Sequence, residues 1–323
     1  MTRFRISLSI GAIAFSLILA AAPAEALNAV SYVSAFTGSS ANSCDDPTAP
    51  CASIFDALTK TEPGGEIKCL DNHQELFFSI NKPITIDCDA TAAGLFGFHG
   101  TSAIGVNVSE TTYPNAVVTL RNLKISGFPG SVGSGANGIR IIGGGGAVHI
   151  ENCTIQGFAG PGIGFEPTSS VDLFVRDTTI SNNAGGGILI KPSGASSAKL
   201  ALDNLNVEGN ANGIFIDARS TSGSIKATVR DSTVAANGAF GIYAADGGGG
   251  TTNVTVEGST SANNTTFGIG SNVNSFVRVG DSTVTGNGTG LQIAGSGKII
   301  SLGGNKVRAN TANGAFTATE APQ

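Results

Sequence analysis

The strongest constraint on the fold of this chain is a repeat that recurs eight times between Val118 and the C-terminus. The last apolar residue of the first predicted strand aligns the copies, at Ile125, Ile155, Ile180, Val207, Val234, Ser261, Val284 and Val307. Successive anchors lie 23 to 30 residues apart. A period of this length, with no apolar pattern longer than a strand inside it, predicts a stacked solenoid of short strands.

Each repeat contains two apolar patterns of period two, which is the period of a strand with one inward face. The first pattern occupies the positions seven and five residues before the anchor, as in Val254 and Val256. The second follows a recurring glycine, as in Ile214 and Ile216. An asparagine lies three residues after the anchor in six copies, at Asn183, Asn210, Asn237, Asn264, Asn287 and Asn310. We interpret it as a turn residue that tolerates left-handed backbone and whose amides bond along the stack.

Asparagine-containing turns, short Val/Ile strands and coils of 23 to 30 residues resemble the right-handed parallel β-helix proteins of the pectate-lyase-like superfamily. The resemblance covers roughly residues 65 to 323 and implies an all-β, right-handed parallel β-helix solenoid with an N-terminal capping helix. It implies little about activity, because related folds carry lyases, hydrolases, epimerases, tailspikes and adhesins.

Three regions are predicted along the chain. Residues 1–26 have the basic start, apolar run and Ala-Glu-Ala site of a signal peptide, and the run is short for a membrane anchor. Residues 27–75 form an N-terminal cap with a short amphipathic helix between Cys51 and Lys60. Residues 76–323 form the β-helix, with about 8 to 10 coils.

Four of the five cysteines lie in the N-terminal section, and export permits disulfides. We expect Cys44 to pair with Cys51 and Cys69 with Cys88, although four cysteines allow three pairings. Cys153 is then left over and aligns with a column of small inward residues, so a buried thiol is expected rather than a nucleophile.

Composition excludes several classes of function. The net charge of −5 and the few charged residues, 13% of the chain, argue against nucleic-acid binding. No segment after the signal peptide could cross a membrane. The spacing of the cysteines and histidines matches no metal site, and the sequence contains no convincing cofactor-binding motif. The catalytic motifs of polygalacturonases, pectate lyases and uronan epimerases are also missing, and the chain contains no tryptophan.

Candidate functional residues are therefore those that face outward and depart from the pattern at equivalent positions of the other repeats. Leu189, Phe215 and Tyr243 fall on consecutive rungs of the second strand and are candidate ligand-binding residues. Two residues after the first two rungs lie Lys191 and Asp217, and Glu166 precedes them by one coil. Aromatic faces beside two carboxylates and a lysine suit sugar binding, or uronate cleavage with Glu166, Lys191 and Asp217 as catalytic candidates.

Structural explanations compete with these functional ones. A loop or the C-terminal tail could cover the three apolar rungs, and the charged residues could form a salt-bridge ladder. A further alternating column, Arg121, Glu151, Arg176, Asp203, Arg230 and Glu257, is interpreted as ion pairs that keep the coils in register.

Three functions remain open from the sequence. The first is an exported, non-enzymatic β-helix protein that binds extracellular or cell-surface polysaccharide. The second is a carbohydrate-active enzyme, either a lyase or a hydrolase. The third is a structural or adhesive surface component whose coils act as a rigid spacer.

Overall fold

The computed structural model describes residues 27–71, 74–88, 93–97, 101–127, 136–247 and 249–321. The predicted signal peptide lies outside these residues. Within them the chain forms one short helix and 31 strands. No helix of the described ranges is long and apolar enough to cross a membrane.

The elements, in chain order, are β1 (Asn28–Val33), α1 (Ile54–Lys60), β2 (Thr61–Cys69), β3 (Gln74–Glu75), β4 (Phe78–Ile80), β5 (Ile84–Asp87), β6 (Ala93–Gly97), β7 (Ile104–Val108), β8 (Val117–Arg121), β9 (Leu123–Gly127), β10 (Ile139–Gly144), β11 (Ala147–Glu151), β12 (Thr154–Gln156), β13 (Pro161–Phe165), β14 (Asp172–Arg176), β15 (Thr179–Ser181), β16 (Gly186–Ile190), β17 (Ala198–Asp203), β18 (Asn206–Glu208), β19 (Ile214–Asp217), β20 (Ser224–Arg230), β21 (Thr233–Ala235), β22 (Phe240–Ala245), β23 (Thr251–Glu257), β24 (Thr260–Ala262), β25 (Phe267–Asn272), β26 (Ser275–Gly280), β27 (Thr283–Thr285), β28 (Thr289–Ala294), β29 (Lys298–Gly303), β30 (Lys306–Arg308) and β31 (Ala318–Thr319).

These strands form three parallel sheets that run the length of the molecule. Sheet 1 has the order β1-β2-β5-β8-β11-β14-β17-β20-β23-β26-β29-β31, sheet 2 runs β3-β6-β9-β12-β15-β18-β21-β24-β27-β30, and sheet 3 runs β4-β7-β10-β13-β16-β19-β22-β25-β28. From β2 onward every strand pairs with the strand one coil away, so the chain passes through sheets 1, 2 and 3 in turn. This is the right-handed parallel β-helix predicted from the repeat.

The sequence pattern was wrong about the number of strands in a coil. The residues from position −7 to the anchor were expected to form one strand, but they form two, joined by a bend at position −3. At that bend Asn122, Asn152, Asp177, Asn204 and Asp231 have positive φ, between 47° and 60°. Asparagine and aspartate tolerate this backbone better than other residues with a Cβ atom. The bend turns the chain from sheet 1 into sheet 2, and each coil therefore contributes to three sheets.

The recurring asparagine has only one of its two expected roles. Left-handed backbone occurs one residue earlier, as at Asn182 and Ala236, with φ of 55° and 53°. Five of the six asparagines are buried and Asn310 is half-buried, and their amides form a continuous ladder. Asn237 Nδ2 lies 2.9 Å from Asn264 Oδ1, and Asn210 Nδ2 lies 3.2 Å from Asn237 Oδ1. The ladder joins one coil to the next inside the turn between sheets 2 and 3.

The alternating charges on the outer face of sheet 1 form ion pairs over part of the predicted column, among Arg121, Glu151 and Arg176 and between Asp203 and Arg230. Arg121 bonds to Asp87 at 3.3 Å and to Glu151 at 2.9 Å, and Glu151 also pairs with Arg176 at 3.2 Å. Burial of Glu151 raises its pKa, but the hydrogen bonds and charges of Arg176 and Arg121 outweigh this and hold the pKa below its ordinary value. These pairs fix the register of neighbouring coils.

The N-terminal section covers the first coils. Ser53 caps α1, because its hydroxyl accepts from Asp56 N–H at 2.9 Å. The carboxylate of Glu75 accepts from the N–H groups of Ile54 and Phe55, at 2.7 and 3.0 Å. The first turn of the helix is thus satisfied by a residue at the start of sheet 2. Whether residue 75 marks a domain boundary stays a prediction, since β1 and β2 already belong to sheet 1.

The cysteines pair as the sequence suggested. Cys44 is bonded to Cys51, and Cys69 at the end of β2 is bonded to Cys88, which directly follows the neighbouring strand β5. Cys153 is free and buried, and its burial raises the pKa of the thiol to about 12. It is therefore unreactive at neutral pH.

The C-terminal tail closes the last coil. Ala312 bridges to Thr289 at the end of sheet 3, and β31 then pairs with β29 at the edge of sheet 1. An ion pair of 2.9 Å between Arg278 and Glu320 holds this strand in place. The tail, described as far as residue 321, therefore lies against sheet 1 and does not cover the apolar rungs of sheet 3.

Candidate functional site

The three predicted binding residues lie in register on the outer face of sheet 3. Leu189 of β16 pairs with Phe215 of β19, which pairs with Tyr243 of β22. All three side chains are half-buried. The rings of Phe215 and Tyr243 are stacked, with centroids 5.2 Å apart and planes inclined by 13°. Parallel pairing at one position places side chains about 4.8 Å apart along the stack, which explains this geometry.

Two further aromatic residues, which the sequence analysis missed, complete a four-ring cluster. Phe240 and Phe267 stack at 5.4 Å beside the first pair. Phe240 meets Phe215 nearly at right angles, and Phe267 meets Tyr243 in the same way. Both residues directly precede a recurring glycine, and this shared position was the signal in the sequence. Phe215, Tyr243, Phe240 and Phe267 are hereafter called the aromatic cluster.

Asp217 lies beside the aromatic cluster, but its carboxylate is already engaged. Arg219 Nε lies 2.7 Å from Oδ1, and Nη2 lies 2.9 Å from Oδ2. Burial of Asp217 raises its pKa, yet the bonds and charge of Arg219, with a contribution from Lys191, hold the pKa below its ordinary value. The same Arg219 lies over the ring of Phe215, at 5.7 Å from the centroid. Asp217 therefore positions Arg219 against the aromatic cluster.

Glu166, Lys191 and Asp217 follow paired positions of β13, β16 and β19 on consecutive coils, but no ion pair within 4.0 Å joins any two of them. Glu166 instead pairs with Arg140, whose Nε lies 2.8 Å from Oε2. Lys191 is exposed, and it forms no ion pair within 4.0 Å with any residue that the structure describes. Each of the two acids is paired with an arginine, and Lys191 contributes to the lowered pKa of Asp217 through its charge alone.

The surface carries a groove on sheet 3 and another on sheet 1. One, of about 650 Å³, opens on sheet 3 beside Arg140 and Glu166. The other, of about 570 Å³, lies on sheet 1 along the charge ladder. In the sheet 1 groove the rings of His149 and Phe174 stack at 4.7 Å. Burial there, with the nearby arginines, lowers the pKa of His149 although Glu151 opposes the shift, so the imidazole is neutral at pH 7.

Two acids of the sheet 1 groove, Glu151 and Asp203, are likewise paired with arginines. Arg230 Nη2 lies 3.5 Å from Asp203 Oδ1, which is an ion pair without a hydrogen bond. Among the residues described, no group of three or more His, Cys, Asp or Glu could hold a metal ion. Both faces thus offer stacking surfaces and ion-paired polar groups, which suit the recognition of a ligand with apolar faces and hydroxyl edges.

Comparisons with known proteins identify the fold. The family described as "Right handed beta helix region" matches residues 71–227 and 221–312. Pectate lyase Pel9A superposes with a TM-score of 0.56 at 16% identity, over 90% of this chain and 79% of that one. The GH136 lacto-N-biosidase of Eubacterium ramulus superposes with a TM-score of 0.50 at 11% identity, over 90% and 67%. No curated protein matches the sequence.

Proposed function

Because the chain belongs to the right-handed β-helix family, we propose that it is an exported protein that binds extracellular or cell-surface polysaccharide through the aromatic cluster on sheet 3. Leu189 extends the same surface by one rung. The family fixes the scaffold, while the ligand is argued from the side chains that this chain places on it.

The observation that carries the proposal is the aromatic cluster itself. Four rings are partly exposed on the outside of a sheet, where the repeat elsewhere places small or charged residues. Aromatic side chains in such numbers on a surface mark a binding site, because leaving them in contact with water costs free energy. Sugar rings present an apolar face that stacks on an aromatic ring and hydroxyl groups that bond to neighbours such as Arg219.

Two further findings support parts of the proposal. Both structural neighbours carry the names of enzymes that act on carbohydrates, a pectate lyase and a lacto-N-biosidase. Two disulfides near the N-terminus fit an oxidising compartment outside the cytoplasm, as does the apolar leader of residues 1–26.

Retention on immobilised polysaccharides tests the proposal. The double variant Phe215→Ala/Tyr243→Ala removes one stacked pair, and we expect at least about a tenfold loss of affinity, which corresponds to about 1.4 kcal/mol. Phe276→Ala is the matched control, since Phe276 is a half-buried aromatic residue on sheet 1. Equal retention of the double variant and the wild-type protein would exclude the cluster as the binding surface.

Catalysis by Glu166, Lys191 and Asp217 is the alternative, and the geometry supports it less well. A general acid must carry a proton, whereas Arg219 keeps Asp217 ionised and occupies both of its oxygens. Incubation of the mature protein with neutral and uronate-containing polysaccharides, followed by product analysis, decides between the two. Cleavage that Asp217→Ala abolishes would replace binding by catalysis as the function.

A further inference from the structure

The groove on sheet 3 lies at the N-terminal end of the same face as the aromatic cluster. Its floor is made by the outer sides of β4, β7 and β10, and its volume is about 650 Å³. Phe77, with about half of its surface exposed, stands at one side. Arg140 and Glu166 stand at the side facing the cluster. We call this the N-terminal groove.

The polar groups of the N-terminal groove have unused hydrogen-bonding capacity. Asn137 is only 8% exposed, yet its carboxamide has no hydrogen-bond partner among the described residues. Asn81 and Asn107 also line the groove, and their carboxamides make no hydrogen bond within the described part of the chain. The amide atoms of Asn137 still reach the groove, because Asp203 Oδ1 is the one fully buried side-chain N or O atom without a partner among the described residues. The groove amides are therefore free to bond to a ligand, whereas the amides of the asparagine ladder are bonded to one another.

A glycine keeps the buried amide accessible. A Cβ atom at Gly164 would lie 2.6 Å from Asn137 Nδ2, well inside van der Waals contact. Gly164 occupies the rung between Arg140 and Leu189, so its missing side chain also leaves a gap in the outward column. The gap connects the N-terminal groove with the surface that leads to the aromatic cluster.

The charges of the groove favour a neutral ligand. Arg140 and Glu166 form an ion pair of 2.8 Å, and both side chains remain partly exposed to the groove. A carboxylate that approached Arg140 would also approach Glu166, and an amine would meet the opposite conflict. Hydroxyl groups can accept from the guanidinium and donate to the carboxylate together. The three asparagines add uncharged donors and acceptors.

The distance between groove and cluster suits one extended ligand. Arg140, Gly164, Leu189, Phe215 and Tyr243 occupy consecutive rungs. At about 4.8 Å a rung, Tyr243 lies about 19 Å from Arg140 along the sheet. We infer that the N-terminal groove is a second subsite, which binds a neutral sugar residue of the polysaccharide that stacks on the aromatic cluster. The idea that one polysaccharide binds both subsites rests on the proposed function, whereas the groove's preference for a neutral sugar does not.

Calorimetric titration with neutral oligosaccharides of glucose, galactose or mannose, from one to six units, tests this inference. The variants are Asn107→Ala/Asn137→Ala, which removes two amides, and Gly164→Ala, which removes no polar group and displaces Asn137. Asn206→Ala, on the outer face of sheet 2, is the control. We expect both groove variants to bind every oligosaccharide at least tenfold more weakly. Phe215→Ala/Tyr243→Ala should weaken only those long enough to span both subsites.

The outcomes separate the two proposals. If the groove variants bind like the wild-type protein while the cluster variant loses affinity, the second subsite is wrong and the proposed function stands. If methyl glycosides shift the side-chain amide signals of Asn107 and Asn137 in nuclear magnetic resonance spectra but no long glycan binds, the groove stands and the proposed function falls. Binding of acidic oligosaccharides alone overturns the neutral assignment. Should the double variant fail to fold, Gly164→Ala and Asn107→Ala decide.

Discussion

At the scale of single residues, the buried amide column between sheets 2 and 3 explains why asparagine recurs in this chain. Each member uses both ends of its carboxamide. Asn237 Nδ2 donates to Val207 O at 3.2 Å and to Asn264 Oδ1, while its Oδ1 accepts from Asn210 N–H at 3.1 Å. Only glutamine carries the same planar amide donor and acceptor, and its side chain is one methylene longer.

Replacing one member should therefore leave polar groups of two coils unpaired. We expect Asn237→Ala to lower the free energy of unfolding by about 1 to 3 kcal/mol, because the partners on neighbouring coils stay buried without a hydrogen bond. Chemical denaturation followed by circular dichroism measures the loss. Asn206→Ala serves as the control and should change stability by less than about 0.5 kcal/mol. Equal effects of the two substitutions would contradict a structural role for the ladder.

Glu151 should make stability depend on pH. Its pKa in the folded protein is below the ordinary value of 4.5, so the stabilisation is fully present above pH 4.5 and is lost as pH falls through the folded pKa. Denaturation of the wild-type protein and of Glu151→Gln between pH 3 and pH 7 should give curves that converge at acid pH. A constant difference for Glu151→Gln would exclude this contribution.

At the scale of the element, certain glycines lie so close to the next coil that there is no room for a side chain between them. A Cβ atom at Gly241 would lie 2.3 Å from Ser261 Oγ and 2.5 Å from Gly268 O, on the next coil. The recurring glycine at the start of the sheet 3 strands, such as Gly241 in β22, is therefore required by the close approach of the next coil.

Substitution at this position should be more harmful than at a glycine with more room. We expect Gly241→Ala to destabilise the protein by about 1 to 3 kcal/mol, since backbone must move to accept the methyl group. Gly238→Ala is the matched comparison, because its nearest neighbour, Ala211 O, would be 3.3 Å away. Thermal unfolding of the two variants gives the answer, and a smaller effect at Gly241 would refute the close-approach argument.

The sequence predicted the coils well because each coil repeats one pattern of burial. It predicted the register of Leu189, Phe215 and Tyr243, because parallel strands of constant spacing align equivalent positions. It did not predict the bend at Asp231. The alternation of inward and outward residues shifts there by only one residue, and so short a shift was not recognised as a bend. That Arg219 holds Asp217 could not be foreseen, because the arginine lies outside the repeated columns.

The N-terminal groove was missed for a different reason. Phe77, Asn107 and Asn137 come from the least regular part of the chain, where no column can be aligned. Only the three-dimensional structure shows that β4, β7 and β10 are neighbours in sheet 3. Sites built from irregular coils therefore escape an alignment of repeats.

At the scale of the whole molecule, stability is distributed unevenly along the solenoid. Both disulfides lie in the N-terminal section, and a coil interacts only with its neighbours. The helix α1 and the bonded cysteines protect the first coils, whereas the C-terminal coils are held by apolar packing, hydrogen bonds and ion pairs without a disulfide.

Reduction should therefore unfold the molecule from one end. With a phosphine reductant at neutral pH, we expect amide hydrogen exchange to speed up in β1, β2 and β5, while β17 to β26 keep their protection. Mass spectrometry of peptides from the two regions measures the difference. The variant Cys153→Ser, treated in the same way, controls for the free thiol. Uniform acceleration along the chain would mean that the coils unfold as one cooperative unit.

The strand β31 pairs with the edge of β29 and is held there by the ion pair of Arg278 and Glu320. This arrangement matters when the protein is concentrated. An open edge of a long parallel sheet is a template on which another molecule can add a strand. By pairing with Ile300 and Ser301 of β29, the tail covers part of that edge and leaves fewer free backbone groups to which a strand of a second molecule could bond.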